Sequence, residues 1–131
     1  MKKTIIISLS CLLLFCSCQE SFEKRVQRTW QEYTEKNCPQ ALTETVILDS
    51  CVFDIDTHVL QFYHRFANAM DNDSIDQKAN TMRELLLEAL RNDTNLRPIK
   101  EAGYSFKYSY YSTKNAGKLL YETTFTKEDY R

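Results

Sequence analysis

Residues 103–126 constrain this chain more than any other stretch. Tyr104, Phe106, Tyr108 and Tyr110 alternate with Ser105, Lys107 and Ser109, and after a polar break Leu119, Tyr121, Thr123 and Phe125 alternate with Leu120, Glu122 and Thr124. A period of two sends successive side chains to opposite faces, so each run predicts a strand with one apolar face. The break carries Asn115 and Gly117, which suits a hairpin with a loop of several residues. A lone hairpin is marginal in water. The rest of the chain must therefore supply a cover for the aromatic face.

The upstream sequence has the pieces for that cover. Phe22, Val26, Trp30 and Tyr33 recur at helical spacing among Glu, Lys, Arg and Gln, and Pro39 forbids continuation past Asn37. The stripe, Trp30 included, is expected to pack on a sheet. Thr43 to Phe53 is rich in β-formers, Asp54 to Thr57 reads as an Asx-type turn, and Val59 to Phe66 forms the return strand, with Leu60, Phe62, His64 and Phe66 facing the helices. Ser74 is the expected N-cap of a second amphipathic helix carrying Ile75, Ala79, Met82, Leu86 and Ala89, widened by Leu85 and Leu90. A short helical piece between Pro98 and Gly103 leads into the last hairpin, and Lys127 to Arg131 read as a polar tail. The expected fold is α+β and two-layered. It has a four-stranded antiparallel sheet with two helices on one face, in the order α-β-β-α-β-β. The other face, with Ser, Lys, Thr, Gln, Arg and Glu outward, is expected to stay solvated.

The first residues read as an address. Lys2 and Lys3 precede the apolar run Ile5 to Phe15, which has the length of a signal-peptide core and is too short to span a membrane. Its end, Phe15-Cys16-Ser17-Cys18, resembles a bacterial lipobox. Ser17 is small enough to precede a lipid-bearing cysteine and Phe15 is not, so Cys18 is the expected lipidation site. The expected division is a lipoprotein signal over 1–17, a lipidated tether over 18–21 and one α+β domain over 22–131. Several acyl chains hold a protein firmly where one does not. With Gln19 rather than Asp after the cysteine, the resemblance implies anchorage at the outer membrane. Cleavage removes Cys11 and Cys16, and lipidation uses Cys18. Cys38 and Cys51 are left as an even pair in an oxidising compartment, and a disulfide between them is expected.

Short motifs carry a second resemblance. Asn37-Cys38-Pro39, Leu48-Asp49-Ser50, the Leu60/Phe62/His64 run, Asn95-Leu96-Arg97-Pro98, Gly103 before Tyr104, Gly117, and Phe125-Thr126 with Asp129-Tyr130 resemble a group of small exported lipoproteins of Gram-negative, Bacteroidetes-like bacteria. The resemblance implies a helix-hairpin-helix-hairpin fold. It implies no activity, since none is established for the group.

Charge and motifs narrow the chemistry. The sequence has 17 Lys plus Arg against 18 Asp plus Glu, and the leader removes two lysines and no acid, leaving a charge of −3. That balance argues against nucleic acid as the main partner. No cofactor or metal motif is expected. His58 and His64 would stand about 20 Å apart on one strand, too far to share a metal. Asp49, Asp54 and Asp56, or Asp71 and Asp73, lack the spacing of a calcium loop. Asp73-Ser74-Ile75 resembles an O-glycosylation triplet of some exported proteins, against the simpler role of Ser74 as a cap. The leading functional expectation is a non-enzymatic, membrane-held accessory module that binds an envelope protein. Its contact surface would lie on the outward sheet face, at Tyr63, Arg65, Lys107 and Tyr111. The alternatives are a small envelope hydrolase acting through His64 or Cys51, and an immunity or inhibitor protein that differs only in its partner.

Overall fold

The structure, a computed structural model, describes residues 19–131. The expected signal segment over 1–17 and the expected lipidation site at Cys18 lie outside the described residues. Helix α1 spans Phe22–Asn37 and is followed by strands β1 (Gln40–Ala41), β2 (Val46–Asp54) and β3 (Val59–Phe66). Two 3-10 turns lead into α2 (Ala79–Asn92) and a third into α3 (Arg97–Glu101). Strands β4 (Ser105–Ser112) and β5 (Leu119–Phe125) and the short α4 (Lys127–Tyr130) complete the chain.

The sheet corrects the expected fold class. It has five strands in the order β1-β2-β3-β4-β5, and it is mixed, because β3 and β4 run parallel. The other neighbouring pairs are antiparallel. The two hairpins exist but do not meet as an antiparallel stack. The connection from Phe66 to Ser105 is a whole helical layer that carries the chain back along the sheet, and such a crossover delivers the next strand parallel. β3 and β4 then pair along their whole length, from Val59↔Ser105 to Phe66↔Ser112. The fifth strand, β1, is two residues that pair Gln40 with Leu48 and Ala41 with Ile47.

Apolar side chains from all the longer helices meet the same side of this sheet. Val26, Leu90, Leu96, Ile99 and Tyr130 join Leu48, Cys51, Phe53, Leu60, Phe62, Phe106 and Phe125 in one buried cluster. Ile75, with Ala79, Met82 and Leu86 against it, joins Phe66, Tyr110 and Tyr121 in a second. Two bulges adjust which residues face inward. One between Leu48 and Ser50 lets Leu48 and Cys51 both point to the core, and one after Tyr110 turns Leu119 outward while Leu120 packs inward.

Local details differ from expectation in several places. Ser21 caps α1, accepting from the Lys24 amide at 3.3 Å. Asn72, not Ser74, caps the turn before α2; its Oδ1 accepts from the Ser74 amide at 2.9 Å. Leu85 is 62% exposed and does not widen the core stripe. The expected polar tail is α4, held by a capping box between Thr126 and Asp129 and anchored by buried Tyr130. The Tyr130 ring meets Phe106 edge-on at 5.6 Å, and its hydroxyl donates to the Tyr104 carbonyl at 2.7 Å.

Candidate functional site

Helix α1 rests mainly on β2. β1 covers only the start of that strand. Beyond it, the free edge is met by α1 itself. The Thr34 hydroxyl accepts from the Cys51 amide at 2.9 Å and donates to the Cys51 carbonyl at 3.0 Å, and Gln27 donates to the Phe53 carbonyl at 3.4 Å. These contacts satisfy backbone groups that an open strand edge would expose.

Held this way, α1 leaves a trough between itself and the turn that precedes α3. One hollow of about 540 Å³ is lined by Trp30 and Tyr33, by Leu48, Cys51 and Phe62 on the floor, and by Asp93 and Leu96 on the far side. A second, of about 200 Å³, continues it toward Phe22, Pro98 and Ile99 and shares Thr29, Trp30 and Asn95 with the first. Trp30 sets the wall. Its ring meets Phe62 edge-on at 5.7 Å and Tyr33 at 5.4 Å. The floor is apolar, and exposed Thr29 and Asn95 with half-buried Asp93 give the rim a polar edge. The span of α1 from Phe22 to Tyr33 makes the trough about 16 Å long at 1.5 Å per residue.

Sequence reading missed this feature for a physical reason. Trp30 and Tyr33 recur at helical spacing and read as ordinary core, but both stay partly exposed. The one available signal was Asn95-Leu96-Arg97-Pro98, a rigid turn placed opposite the aromatic stripe.

The cysteines lie at the end of this trough. Cys51 is 2% exposed and Cys38 half-buried, and both are thiols. Cys51 and Cys38 lie near enough to shift one another's titration. Burial pushes the Cys51 thiol up to about 12, with the neighbouring Cys38 adding to the shift. Burial also raises Cys38. A thiol held this firmly protonated is a poor nucleophile at neutral pH.

The histidines do not come together. His58 sits in the β2–β3 turn at φ 55°, stacked on Tyr104 with ring centres 4.4 Å apart. His64 is buried in the sheet, stacked on Tyr110 at 4.3 Å, and burial lowers its pKa to about 4. Nδ1 of His64 has no hydrogen-bond partner among the described residues. The acids once weighed as calcium ligands are spent locally. Asp54 caps its own turn, accepting from the Asp56 amide at 2.9 Å. Asp49 takes both its oxygens to Arg65 Nε, at 2.9 and 2.8 Å. Asp71 accepts from the Ser112 hydroxyl and the Lys114 amide, and Asp73 pairs with Lys118. No group of three or more metal-ligating side chains forms among the described residues.

The four residues singled out for the sheet face do share that face. Arg65 is the cross-strand neighbour of Tyr111, and Tyr63 stacks on Tyr111 with ring centres 6.5 Å apart. The polar groups there are bound to one another. Tyr63 donates to Gln61, Gln61 to Ser109, and Ser109 to Glu122, while Lys107 pairs with Glu122 at 3.4 Å. Tyr111 has no hydrogen-bond partner for its hydroxyl among the described residues, and Val52, half exposed, and Leu119 are exposed apolar side chains.

Comparisons with known proteins agree with this architecture. The profile of a domain of unknown function, DUF8479, matches residues 21–121. No curated protein matches the chain. Among solved structures, a candidate secreted protein from Pseudomonas aeruginosa is similar with a TM-score of 0.67 at 13% identity, over 86% of this chain and all of that one. The type II secretion system pilotin AspS of Vibrio cholerae is similar at 0.58 and 12% identity, over 82% of this chain and 90% of its own. The pilotin EpsS of the Vibrio vulnificus type 2 secretion system is similar at 0.54 and 10%, over 83% and 94%. At such identities the likeness is one of fold.

Proposed function

We propose that this chain, which belongs to the DUF8479 family, is a lipid-tethered accessory protein of the cell envelope that holds a helical segment of a protein partner in the trough along α1. The trough carries the reading. It is open, apolar on its floor, polar at its rim and bounded by a helix, which is the shape that accepts an amphipathic helix through anchors at i, i+3 and i+4. Trp30 and Tyr33 supply the rigid aromatic wall that concentrates binding energy at such contacts. Two pilotins of secretion systems share the fold, which supports an accessory role in the envelope. The lipobox resemblance at Cys18 and the following Gln19 support a tether at the outer membrane. The hydrolase alternative gains no support from the site, because Cys51 is held as a buried thiol and His64 hydrogen-bonds no side chain that could act as nucleophile.

A second reading puts the partner on the open sheet face, at Tyr63, Arg65, Lys107 and Tyr111. The stacked tyrosines and exposed Val52 favour it. Photo-crosslinking in the intact envelope separates the two. A photoreactive residue in place of Thr29, in the trough rim, is expected to give a discrete protein adduct that Trp30→Ala removes. An adduct formed only from position 63 would move the contact to the sheet, and adducts from neither would end both readings.

A further inference from the structure

Three residues, Gln19 to Ser21, separate the lipid-bearing position from the first turn of α1. At no more than about 3.6 Å per residue, such a tether keeps Phe22 within roughly 15 Å of the acyl chains. Whatever surrounds the start of α1 must then face the membrane. Phe22 packs against Tyr104 at 6.0 Å, and Glu23 accepts from the Tyr104 hydroxyl at 2.7 Å. Tyr104 is in turn bound to Tyr130 of α4, and Arg25 shares its hollow with Pro98 and Ile99 of α3. The tethered end of the domain is therefore built from the first turn of α1, from α3 and from α4.

That end carries several cations with no carboxylate at ion-pair distance among the described residues. Arg91, Arg97, Lys100 and Arg131 line one open hollow of about 380 Å³ with Glu101 as its only acid. None of these four, nor Arg25, has a carboxylate within ion-pair distance among the described residues, whereas Arg28, Arg65, Arg83, Lys107 and Lys118 all do. Arg91 and Arg131 donate instead to the carbonyls of Asp129 and Glu101. These cations stand out in a domain that is acidic overall.

We propose that Arg25, Arg91, Arg97, Lys100 and Arg131 rest on the anionic phosphate headgroups of the membrane that holds the tether. The trough would then run up from the membrane surface along α1, its far end toward the envelope space. Each basic side chain near an anionic surface adds affinity that salt removes. The orientation rests on the lipid tether proposed above, but the surface itself is testable without it.

Residues 19–131, which hold both core clusters and lack Cys18, are mixed with vesicles of phosphatidylcholine alone or with added phosphatidylglycerol, and sedimented. Binding is expected only with phosphatidylglycerol and is expected to vanish in high salt. The variant Arg25→Gln/Arg97→Gln/Arg131→Gln should weaken it by about tenfold or more. Lys100 is spared because its ammonium holds the Leu90 carbonyl at the end of α2, at 2.7 Å. Near-ultraviolet circular dichroism confirms that the variant is folded. Equal binding to both vesicles, an unchanged variant, or an equal loss from Arg65→Gln/Lys107→Gln on the sheet face would each overturn the proposal. So would displacement by inorganic phosphate at low concentration, which would make the cluster a free-phosphate site. Labelling with palmitate in cells that does not depend on Cys18 would instead remove the tether and leave the vesicle result standing.

Discussion

Burial holds the imidazole of His64 neutral, because a charge placed among Tyr108, Tyr110 and Phe62 would lose its hydration. The Asp49 carboxylate and the nearby backbone of Ser109 favour the charged form, but burial outweighs them. The unfolded chain takes up a proton near the ordinary value of 6.5, and the folded one only near 4. Above 6.5 both states are neutral and the full stability is present. As pH falls from 6.5 toward 4 the unfolded state binds the proton first, so stability is lost across that window, by about 3 kcal/mol at most. The depressed carboxyls of Glu23, Asp71, Glu128 and Asp129 act at lower pH, through and below the ordinary carboxylate range. Urea unfolding at pH 7 and pH 5 measures the difference, and His64→Phe should flatten it. A slope that survives the substitution would assign it to another group. The sequence placed His64 correctly on the inward face of β3, since period two decides sidedness. It gave no sign of the unpaired Nδ1, because ring orientation depends on neighbours from β4 that periodicity does not name.

At the scale of elements, the junction of α1 with β2 concentrates the sharpest local chemistry. Cys38 follows the last turn of α1 and Cys51 lies in β2, with Thr34 binding the Cys51 backbone from the helix. The two lie close together, and burial raises the Cys51 thiol to about 12, so more exposed Cys38 is the sulfur that attacks first. In an oxidising envelope a thiol–disulfide exchange protein is expected to join them. The Cys38 thiolate attacks its disulfide, Cys51 displaces it from the mixed intermediate, and the oxidant leaves as two thiols. The link would staple the end of α1 to the sheet and stabilise the fold by about 3 kcal/mol in the chain-entropy account. Protein taken from the envelope should gain two hydrogen atoms in mass on reduction and unfold at lower urea. No mass change would show the pair to be resident thiols. Other elements were legible to different degrees. Both hairpins, the stop at Asn37 and the turn at Gly103 follow from alternation, proline and glycine, and Gly103 does adopt φ 77°. Strand β1 was not legible, because two residues carry no period. Helix α4 was, in principle: Thr126 and Asp129 have capping-box spacing, but four residues beyond a strand read more readily as a tail.

The whole molecule is a sheet covered on one side by helices, each holding to it through few buried side chains. Periodicity reports which face of a strand is buried but not which strand lies beside it, so the parallel β3–β4 pair, made by residues far apart in the chain, could not be read from alternation. That pair forms the rigid centre, with Leu60, Phe66 and Phe106 fully buried along it. Helix α2 is fixed to it by Leu90, and α3 by Ile99. Helix α1 is anchored no more deeply than these. Val26 is its one buried side chain, and beyond it the helix holds on through partly buried Phe22, Trp30 and Tyr33 and a few hydrogen bonds to the margin of β2. The trough exists because α1 stands off from α3. An element with few buried apolar groups opens at lower free energy than the core it lies on. Backbone amides of α1 from Arg25 to Asn37 are therefore expected to exchange with deuterium well before those of β3 and β4, through local opening rather than global unfolding. A partner helix seated against Trp30 and Tyr33 would bury the missing apolar surface and slow exchange in α1 while leaving β3 and β4 unchanged. If α1 is protected as well as β3 in the free protein, the helix is already fully supported, and the trough would have to bind as a rigid slot rather than as a clasp that tightens on its partner.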